Sequence, residues 1–300
     1  MQTAQTVTAE SNAGRGQVAE TLYDAYGQHF SVDEVYFESR TEHQHLLIFH
    51  NAKFGRVMTL DGVVQTTERD EFFYHEMFAH VPLFAHPAPR RVLIIGGGDG
   101  GLLREVVKHP AVEAITQVEI DAGVVEMAKQ WLPRHSDGAF DDARLELMID
   151  DGAAFARAAA EDPARRFDVV LVDSTDPIGP GEVLFTNRFY RDCHALLDDG
   201  GVLVNQNGVP FMQLDELQRT ASAFAEIFED WGFYGVAVPT YIGGIMTLGF
   251  AARDAGLRQV SEDVLRARFD AVAPVTRYYT PAVHRAAFAL PRYVDEAVGR

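Results

Sequence analysis

The sequence predicts a doubly wound, Rossmann-like α/β fold with a mostly parallel sheet, preceded by a small antiparallel β domain. Three observations predict it. The apolar run ending in glycines at Val92–Gly101, VLIIGGGDGG, passes at once into the helical pattern LLREVVKH. A strand, a Gly-rich turn and a helix N-terminus form the nucleotide-binding corner of such sheets, where glycine lets the backbone approach a ligand. Downstream, strand and helix patterns alternate at the pitch of a parallel sheet with helices on both faces. Upstream, Val32–Thr67 alternates polar and apolar residues around the hairpin signal Asp61-Gly62.

Met1–Gly16 has no apolar period and is expected to be disordered, with order beginning near Val18. The runs VDEVYFES, HQHLLIFHN, FGRVMTL and VVQTT then build the β domain, assigned to residues 17–77, and residues 78–300 form the nucleoside-binding domain. Glu71–Leu83 has apolar residues at helical spacing and ends at the proline-rich His86–Pro89, so it reads as the helix leading into that domain. Beyond the glycine turn, strands are expected at Ala114–Ile120, Leu145–Ile149, Asp168–Val172, Val202–Asn205, Phe233–Val238 and Ile245–Ala251. Helices are expected at Ala122–Leu132, Ala153–Ala160, Asn187–Leu197 and Leu214–Phe228.

Composition narrows the function. The 300 residues carry 26 basic and 44 acidic side chains, a formal charge of −18. That charge serves solubility, opposes binding to nucleic acid or anionic membrane, and favours cationic small molecules. No apolar run approaches the ~20 residues of a membrane span, and the polar stretch Met1–Gln17 lacks the apolar segment of a signal peptide. The single cysteine, Cys193, allows no internal disulfide and no thiol cluster for a metal. These features read as a soluble cytoplasmic protein.

Asp99 bears on what the glycine turn holds. The spacing Gly96-x-Gly98-x-x-Gly101 suits a dinucleotide, but a pyrophosphate on the helix N-terminus would meet the Asp99 carboxylate. No Lys or Arg in the turn offers to hold phosphate. A nucleoside that carries a cation fits better. In open α/β sheets the ligand sits beyond the carboxyl ends of the strands, and those ends carry Asp99, Glu119, Asp151 and Asp173, with Asp176 following. One such acid reads as a helix cap or a solvated charge; four at successive strand ends argue for a site.

Glu119 lies where an acid can accept hydrogen bonds from both ribose hydroxyls. Asp151 either receives the exocyclic amine of an adenine, with Gly152 clearing room for the ring, or caps the next helix. In Asp173-Ser174-Thr175-Asp176-Pro177 two carboxylates stand at the mouth of a buried strand, followed by the candidate lid Ile178–Gly181. Such a pair suits the ammonium groups of a small polyamine, or accepts a proton from one. Tyr74, His75 and Pro239-Thr240-Tyr241 supply aromatic and hydrogen-bonding walls.

The chain resembles the polyamine aminopropyltransferases, most closely the bacterial spermidine synthases, from about Glu20 to the C-terminus. The resemblance rests on LDGVVQTTERDEFFYHEM (Leu60–Met77), GGGDGG (Gly96–Gly101), VEID (Val118–Asp121) and DDG (Asp150–Gly152). It extends through DSTDPIGPG (Asp173–Gly181), QNGV (Gln206–Val209), PTYIGGIM (Pro239–Met246) and YYTPAVHRAAFALP (Tyr278–Pro291). It implies the methyltransferase type of Rossmann-like fold. It further implies transfer of the aminopropyl group of decarboxylated S-adenosylmethionine, a co-substrate, to putrescine, giving spermidine and 5′-methylthioadenosine without metal or cofactor. By the family's pattern Asp173 accepts the proton. Gln44, His75, Asp99, Glu119, Asp151, Gly152 and Pro180 contact the donor, and Tyr74, Asp176 and Tyr241 line the diamine channel with Gln65 and Gln206 in support. The resemblance also implies a homodimer or homotetramer joined partly through the β domain.

Two positions depart from the pattern. Val18 stands where relatives often place tryptophan, and His75 where many have glutamine. Neither departure replaces one of the carboxylates, so the reaction class is expected to hold while the acceptor (putrescine, cadaverine, spermidine or agmatine) stays open. The rivals are an S-adenosylmethionine-dependent methyltransferase, whose substrate's α-carboxylate Asp99 would repel, and a non-catalytic polyamine-binding protein. A nicotinamide dehydrogenase fits least, for want of a phosphate site.

Overall fold

The structure, a computed structural model, describes residues 16–177 and 179–299. The disorder expected for Met1–Gly16 falls outside that range except at Gly16, which opens a strand. The chain divides into two compact units, the first ending at Arg69 and the second beginning at Asp70. A boundary at 77/78 would cut the helix Glu71–Ala85, whose Tyr74, Met77, Phe78, Val81 and Phe84 pack in the core of the second unit.

In the first unit β1 (Gly16–Ala19) and β2 (His29–Val32) form an antiparallel pair. Strands β3 (Glu34–Arg40), β4 (His45–Asn51), β5 (Gly55–Leu60) and β6 (Val63–Thr67) form a sequential antiparallel sheet. The turn between β5 and β6 is Asp61-Gly62, with φ of 49° and 83°. Positive φ at both central residues matches the twist of the strands they join. Phe30, Phe49, Val57 and Val64 make the core, with Val18 packed against them.

The second unit opens with α1 (Glu71–Ala85), then β7 (Arg91–Gly96), α2 (Gly101–Val107), β8 (Ala114–Glu119), α3 (Ala122–Trp131) and the short α4 (Pro133–Ser136). It continues with β9 (Leu145–Ile149), α5 (Gly152–Ala160), β10 (Phe167–Asp173), α6 (Asn187–Leu196), β11 (Leu197–Gln206) and α7 (Leu214–Ile227). Strands β12 (Asp230–Val236) and β13 (Met246–Ala252) follow, then α8 (Glu262–Val272), α9 (Pro281–Ala287) and α10 (Arg292–Ala297). Sheet order is β12-β13-β11-β10-β7-β8-β9. The five strands from β11 to β9 run parallel, while β13 pairs antiparallel with both β11 and β12. No helix intervenes between β12 and β13, so the chain turns straight back instead of crossing over. Val92–Ile95 and Val169–Val172 are fully buried, as expected where both sheet faces are covered by helices.

The helices α8–α10 have no counterpart among the expected elements. Their chain is tied to α1 by Glu76, which is buried and accepts hydrogen bonds from the backbone N–H groups of Arg277, Tyr278 and Tyr279 at 2.7–2.8 Å. Tyr279 then stacks on Phe84, with ring centroids 5.4 Å apart. The anchor steadies the helix that carries Tyr74 and His75. Glu76→Ala strands three amide groups and is expected to lower stability by about 2–4 kcal/mol, read as a lower urea midpoint; an unchanged midpoint excludes the anchor.

Candidate active site

The parallel order β10-β7-β8-β9 sets four carboxyl ends side by side, and each brings an acid. Asp173 ends β10, Asp99 lies in the turn after β7, Glu119 ends β8 and Asp151 follows β9. Gly96 has φ +83°, and a Cβ on it would fall 2.1 Å from the Asp173 carbonyl oxygen. Only glycine therefore lets the chain leave β7 so close to β10. Below the turn, the buried Gln117 donates from Nε2 to the carbonyls of Gly96 and Gly97, both at 2.9 Å.

The four acids have different surroundings. Burial pushes the Asp173 carboxyl up, the Asp99 charge adds to this, and His75 and the Tyr74 hydroxyl oppose it, leaving it at about 6. Burial likewise lifts Glu119 to about 7, against a hydrogen bond at 3.0 Å from the Asp121 N–H. Burial also works against Asp99, but His75, His135 and the Gly101 N–H at 2.8 Å outweigh it and hold the carboxyl well below the usual range. Asp151 is exposed and caps α5, accepting from Ala153 and Ala154 N–H through one oxygen at 2.8 and 3.1 Å. Of the two uses open for Asp151, the cap is thus realised, and its second oxygen is free of that duty. The space that Gly152 leaves is filled by the Ile95 side chain, 2.4 Å from where a Cβ would stand, and not kept for a ring.

Helix α1 supplies the facing wall. Tyr74 donates from its hydroxyl to Asp173 Oδ1 at 2.6 Å, and its ring meets Tyr241 edge-on at 5.9 Å. Thr240 holds the Tyr241 loop by donating its N–H and hydroxyl to buried Asp70 at 2.9 and 2.8 Å. His75 is pinned between Glu71 Oε2 at 2.7 Å and Asp99 Oδ2 at 3.5 Å. Beyond Asp173, Asp176 accepts from Gln213 Nε2 at 2.6 Å, and burial raises its pKa against that bond. Gln206 donates to the Thr175 carbonyl at 3.1 Å and accepts from Gly208 N–H at 2.9 Å, which fixes the stretch between the two acids.

Tyr74, His75, Asp99, Glu119, Asp173, Asp176, Gln206 and Tyr241 therefore form one linked group in the second unit. Pro180 lies in a 3-10 turn over Gly179–Phe185, its side chain outside the described residues, as is Ile178. Gln44 and Gln65 belong to the first unit: Gln44 closes the turn from Thr41, and Gln65 lies on β6, donating to the Val63 carbonyl. Sequence reasoning missed Glu71, Arg104, Gln117 and Gln213. The i, i+4 spacing of Glu71 and His75 was an available signal; the others are brought in by tertiary packing. Among the described residues no cluster of His, Cys, Asp or Glu is arranged to hold a metal ion.

Residues 71–260 match the spermine/spermidine synthase domain, and residues 17–68 the spermidine synthase tetramerisation domain. The chain belongs to the spermine/spermidine synthase family. Among curated members of the family, polyamine aminopropyltransferase 1 of Pseudomonas aeruginosa is 59% identical over 281 residues, 94% of this chain and 97% of the relative. The polyamine aminopropyltransferase of Salmonella paratyphi B is 54% identical over 279 residues, 93% and 96% of the two chains. A crystal structure of spermidine synthase in complex with the transition state analogue AdoDATO superposes with a TM-score of 0.88 at 35% identity, covering 98% of both chains. Spermidine synthase from Thermotoga maritima gives 0.86 at 34% identity, covering 98% and 97%. The family makes this chain an enzyme, a polyamine aminopropyltransferase, on a Rossmann-like α/β fold.

A carboxyl whose pKa is raised in the folded state favours folding below its unfolded value and loses that contribution as pH rises through the folded one. For Asp173 the window runs from 3.8 to about 6. Asp173→Asn, which keeps an acceptor for Tyr74, is therefore expected to raise stability at pH 7.5 by on the order of 1–3 kcal/mol and to change it little at pH 3.5. Equal effects at the two pH values in thermal unfolding would refute the assignment.

Proposed function

We propose that the enzyme is a spermidine synthase: it transfers the aminopropyl group of decarboxylated S-adenosylmethionine to putrescine, giving spermidine and 5′-methylthioadenosine. The observation that carries this reading is the row of carboxylates at the strand ends, with Asp99 held ionised at the glycine turn where phosphate-binding folds greet an anion. Glu119 receives the ribose hydroxyls and Asp151 the adenine amine through the oxygen not used in capping. Asp99 receives the ammonium of the aminopropyl chain. Tyr74, Asp176 and Tyr241 line the diamine channel. Residues 17–68, which match a tetramerisation domain, support a homodimer or homotetramer. The proposed compartment is the cytoplasm, in keeping with Cys193 being buried, unpaired and the sole cysteine of the chain.

The chemistry is a displacement. The amine nitrogen forms a bond to the carbon beside the sulfonium, the carbon–sulfur bond breaks with its electron pair going to sulfur, and the nitrogen loses a proton. An alkylamine has a pKa near ~10.4, so presenting it neutral at about pH 7.4 costs roughly 4 kcal/mol. The sulfonium and the donor's own ammonium lower that cost, because a like charge nearby disfavours the protonated amine. Asp173 then takes the proton, directly or through Tyr74, which already donates to it at 2.6 Å. Burial makes Asp173 a stronger base than a solvated carboxylate. Alignment of the amine with the carbon–sulfur axis supplies the larger part of the acceleration.

Mass analysis of products after incubation with decarboxylated S-adenosylmethionine and each of putrescine, cadaverine, spermidine and agmatine tests the reading. Spermidine and methylthioadenosine are expected from putrescine at the highest kcat/KM; preference for another acceptor would reassign the substrate, and absence of methylthioadenosine would reject the reaction. Asp173→Asn is expected to cut kcat by about 10²–10⁴-fold with little change in donor affinity. Because Asp173 is required as the anion, wild-type turnover is expected to fall as pH drops through about 6. Near-normal turnover of the variant at neutral pH removes Asp173 from the mechanism.

A further inference from the structure

Behind the site, four charged side chains from three segments alternate in sign. Arg104, on α2, sets its guanidinium fork on Glu71, with Nη2 to Oε2 at 2.8 Å and Nη1 to Oε1 at 3.3 Å. The same group donates to the carbonyls of His135 and Arg134 at 2.8 and 3.0 Å, and its Nε to Glu105 at 2.8 Å. Glu71 passes the interaction to His75 Nδ1, and His75 Nε2 faces Asp99. Side-chain exposure is 13% for Arg104, 9% for Glu71, 3% for His75 and 10% for Asp99, so the sequence of charges runs largely out of water.

We propose that Glu71 and Arg104 are positioning residues for the donor subsite: the Arg104 fork fixes Glu71 against His75 Nδ1, and this holds the ring as an imidazolium that orients the Asp99 carboxylate. This rests on the reading of Asp99 as the acceptor of the donor's ammonium. The argument begins with the ring's two nitrogens. A neutral imidazole that gave its only N–H to Glu71 would turn a lone pair toward an Asp99 oxygen; an imidazolium donates on both sides. The groups facing His75 are Glu71 on its own helix, Asp99 from the glycine turn, Tyr74 beside it and His135 from α4, whose ring lies 6.2 Å away. Burial keeps His135 toward its neutral form, so it does not compete for the charge. Burial opposes the His75 charge as well, yet Asp99 and Glu71 overcome it and raise the pKa to about 10.

Room around the ring adds a steric argument. A Cβ at Gly101 would stand 2.2 Å from His75 Cε1, so the ring lies against the backbone where α2 begins and has no space to swing toward α2. Asp99 then has both oxygens engaged, Oδ1 by the Gly101 N–H and Oδ2 by His75. Its remaining lone pairs are aimed before any ligand arrives, which reduces what binding must spend on ordering. Arg104 completes the charge balance. Arg104 also serves the buried Glu105, which Lys108 pairs with as well, so deletion of one charge leaves another without compensation.

The test uses the full chain with decarboxylated S-adenosylmethionine and putrescine. Glu71→Gln keeps an oxygen for the Nδ1 proton but removes the charge. The expected result is a donor KM raised on the order of tenfold with kcat and diamine KM changed less than about threefold. An inflection from His75 in kcat/KM for the donor is also expected between about pH 6.5 and 8.5, added to those that Asp173 and Glu119 give the wild type near 6 and 7. Adding His75→Gln to Glu71→Gln is expected to abolish that inflection. Arg104→Lys, which keeps charge without the fork, is expected to fall between wild type and Glu71→Gln in donor KM.

A Glu71→Gln profile with no inflection beyond those of the wild type, or a loss confined to kcat and thermal midpoint, overturns the proposal. Nitrogen-15 spectra of the wild-type imidazole give a reading that survives a misfolded variant. Both His75 nitrogens are expected to be protonated at pH 8, and a neutral ring there also overturns the proposal. The spectra need no turnover, so absence of methylthioadenosine from the wild-type assay would count against the proposed reaction and leave this test standing.

Discussion

Setting carboxylates at adjacent strand ends out of water is electrostatically costly, and the arrangement of the second unit follows from managing that cost. Like charges so placed raise one another's pKa, as Asp99 does for Asp173. The protein answers differently at each position. Asp99 is given cationic and N–H partners and stays ionised; Glu119 and Asp173 are left under-compensated and are drawn toward neutrality; Asp151 is left in water as a helix cap. One row of similar side chains thereby acquires distinct chemical characters, and the differences come from what stands behind each acid.

Much of this architecture was legible in the chain. The Asp61-Gly62 hairpin is where two positive φ values were needed, and the continuous apolar runs Val92–Ile95 and Val169–Val172 are the two central buried strands. The acids could be found because strand and turn patterns put them at the same relative place in successive βα units. Apart from α8, whose Leu265, Phe269 and Val272 do recur at helical spacing, what escaped was structure with no periodic signature. Helices α9 and α10 span 7 and 6 residues, too short for an apolar repeat, and the chain leading into α9 is fastened to Glu76, about two hundred residues away in sequence. The antiparallel turn-back of β13 depends on a missing crossover helix, a weaker signal than a present one.

At the site the same division holds. Residues on the rim announced themselves through the motifs that carry them. Supporting residues did not, because a Glu or Arg on a helix, or a Gln beside a turn, is usually a solvated side chain. Gln213 reaches Asp176 only because the chain turns at Gly208–Val209, where the Val209 N–H grips the Gln213 amide oxygen at 3.0 Å. Gln117 looks like a polar interruption in an apolar strand until the two glycine carbonyls above it are seen. Asp151 and Gly152 show the converse: both were noticed, and both have a packing role that operates whether or not a nucleoside is present.

The contact between Gly101 and His75 links two positions twenty-six residues apart. A helix that starts without a side chain at 101 leaves a niche whose size is matched to an imidazole, so the two sites cannot drift independently. During divergence, a methyl group gained at 101 would be tolerated only after a slimmer or more flexible side chain had replaced the ring. The order in which mutations can be accepted is thereby constrained by a gap of a few ångströms.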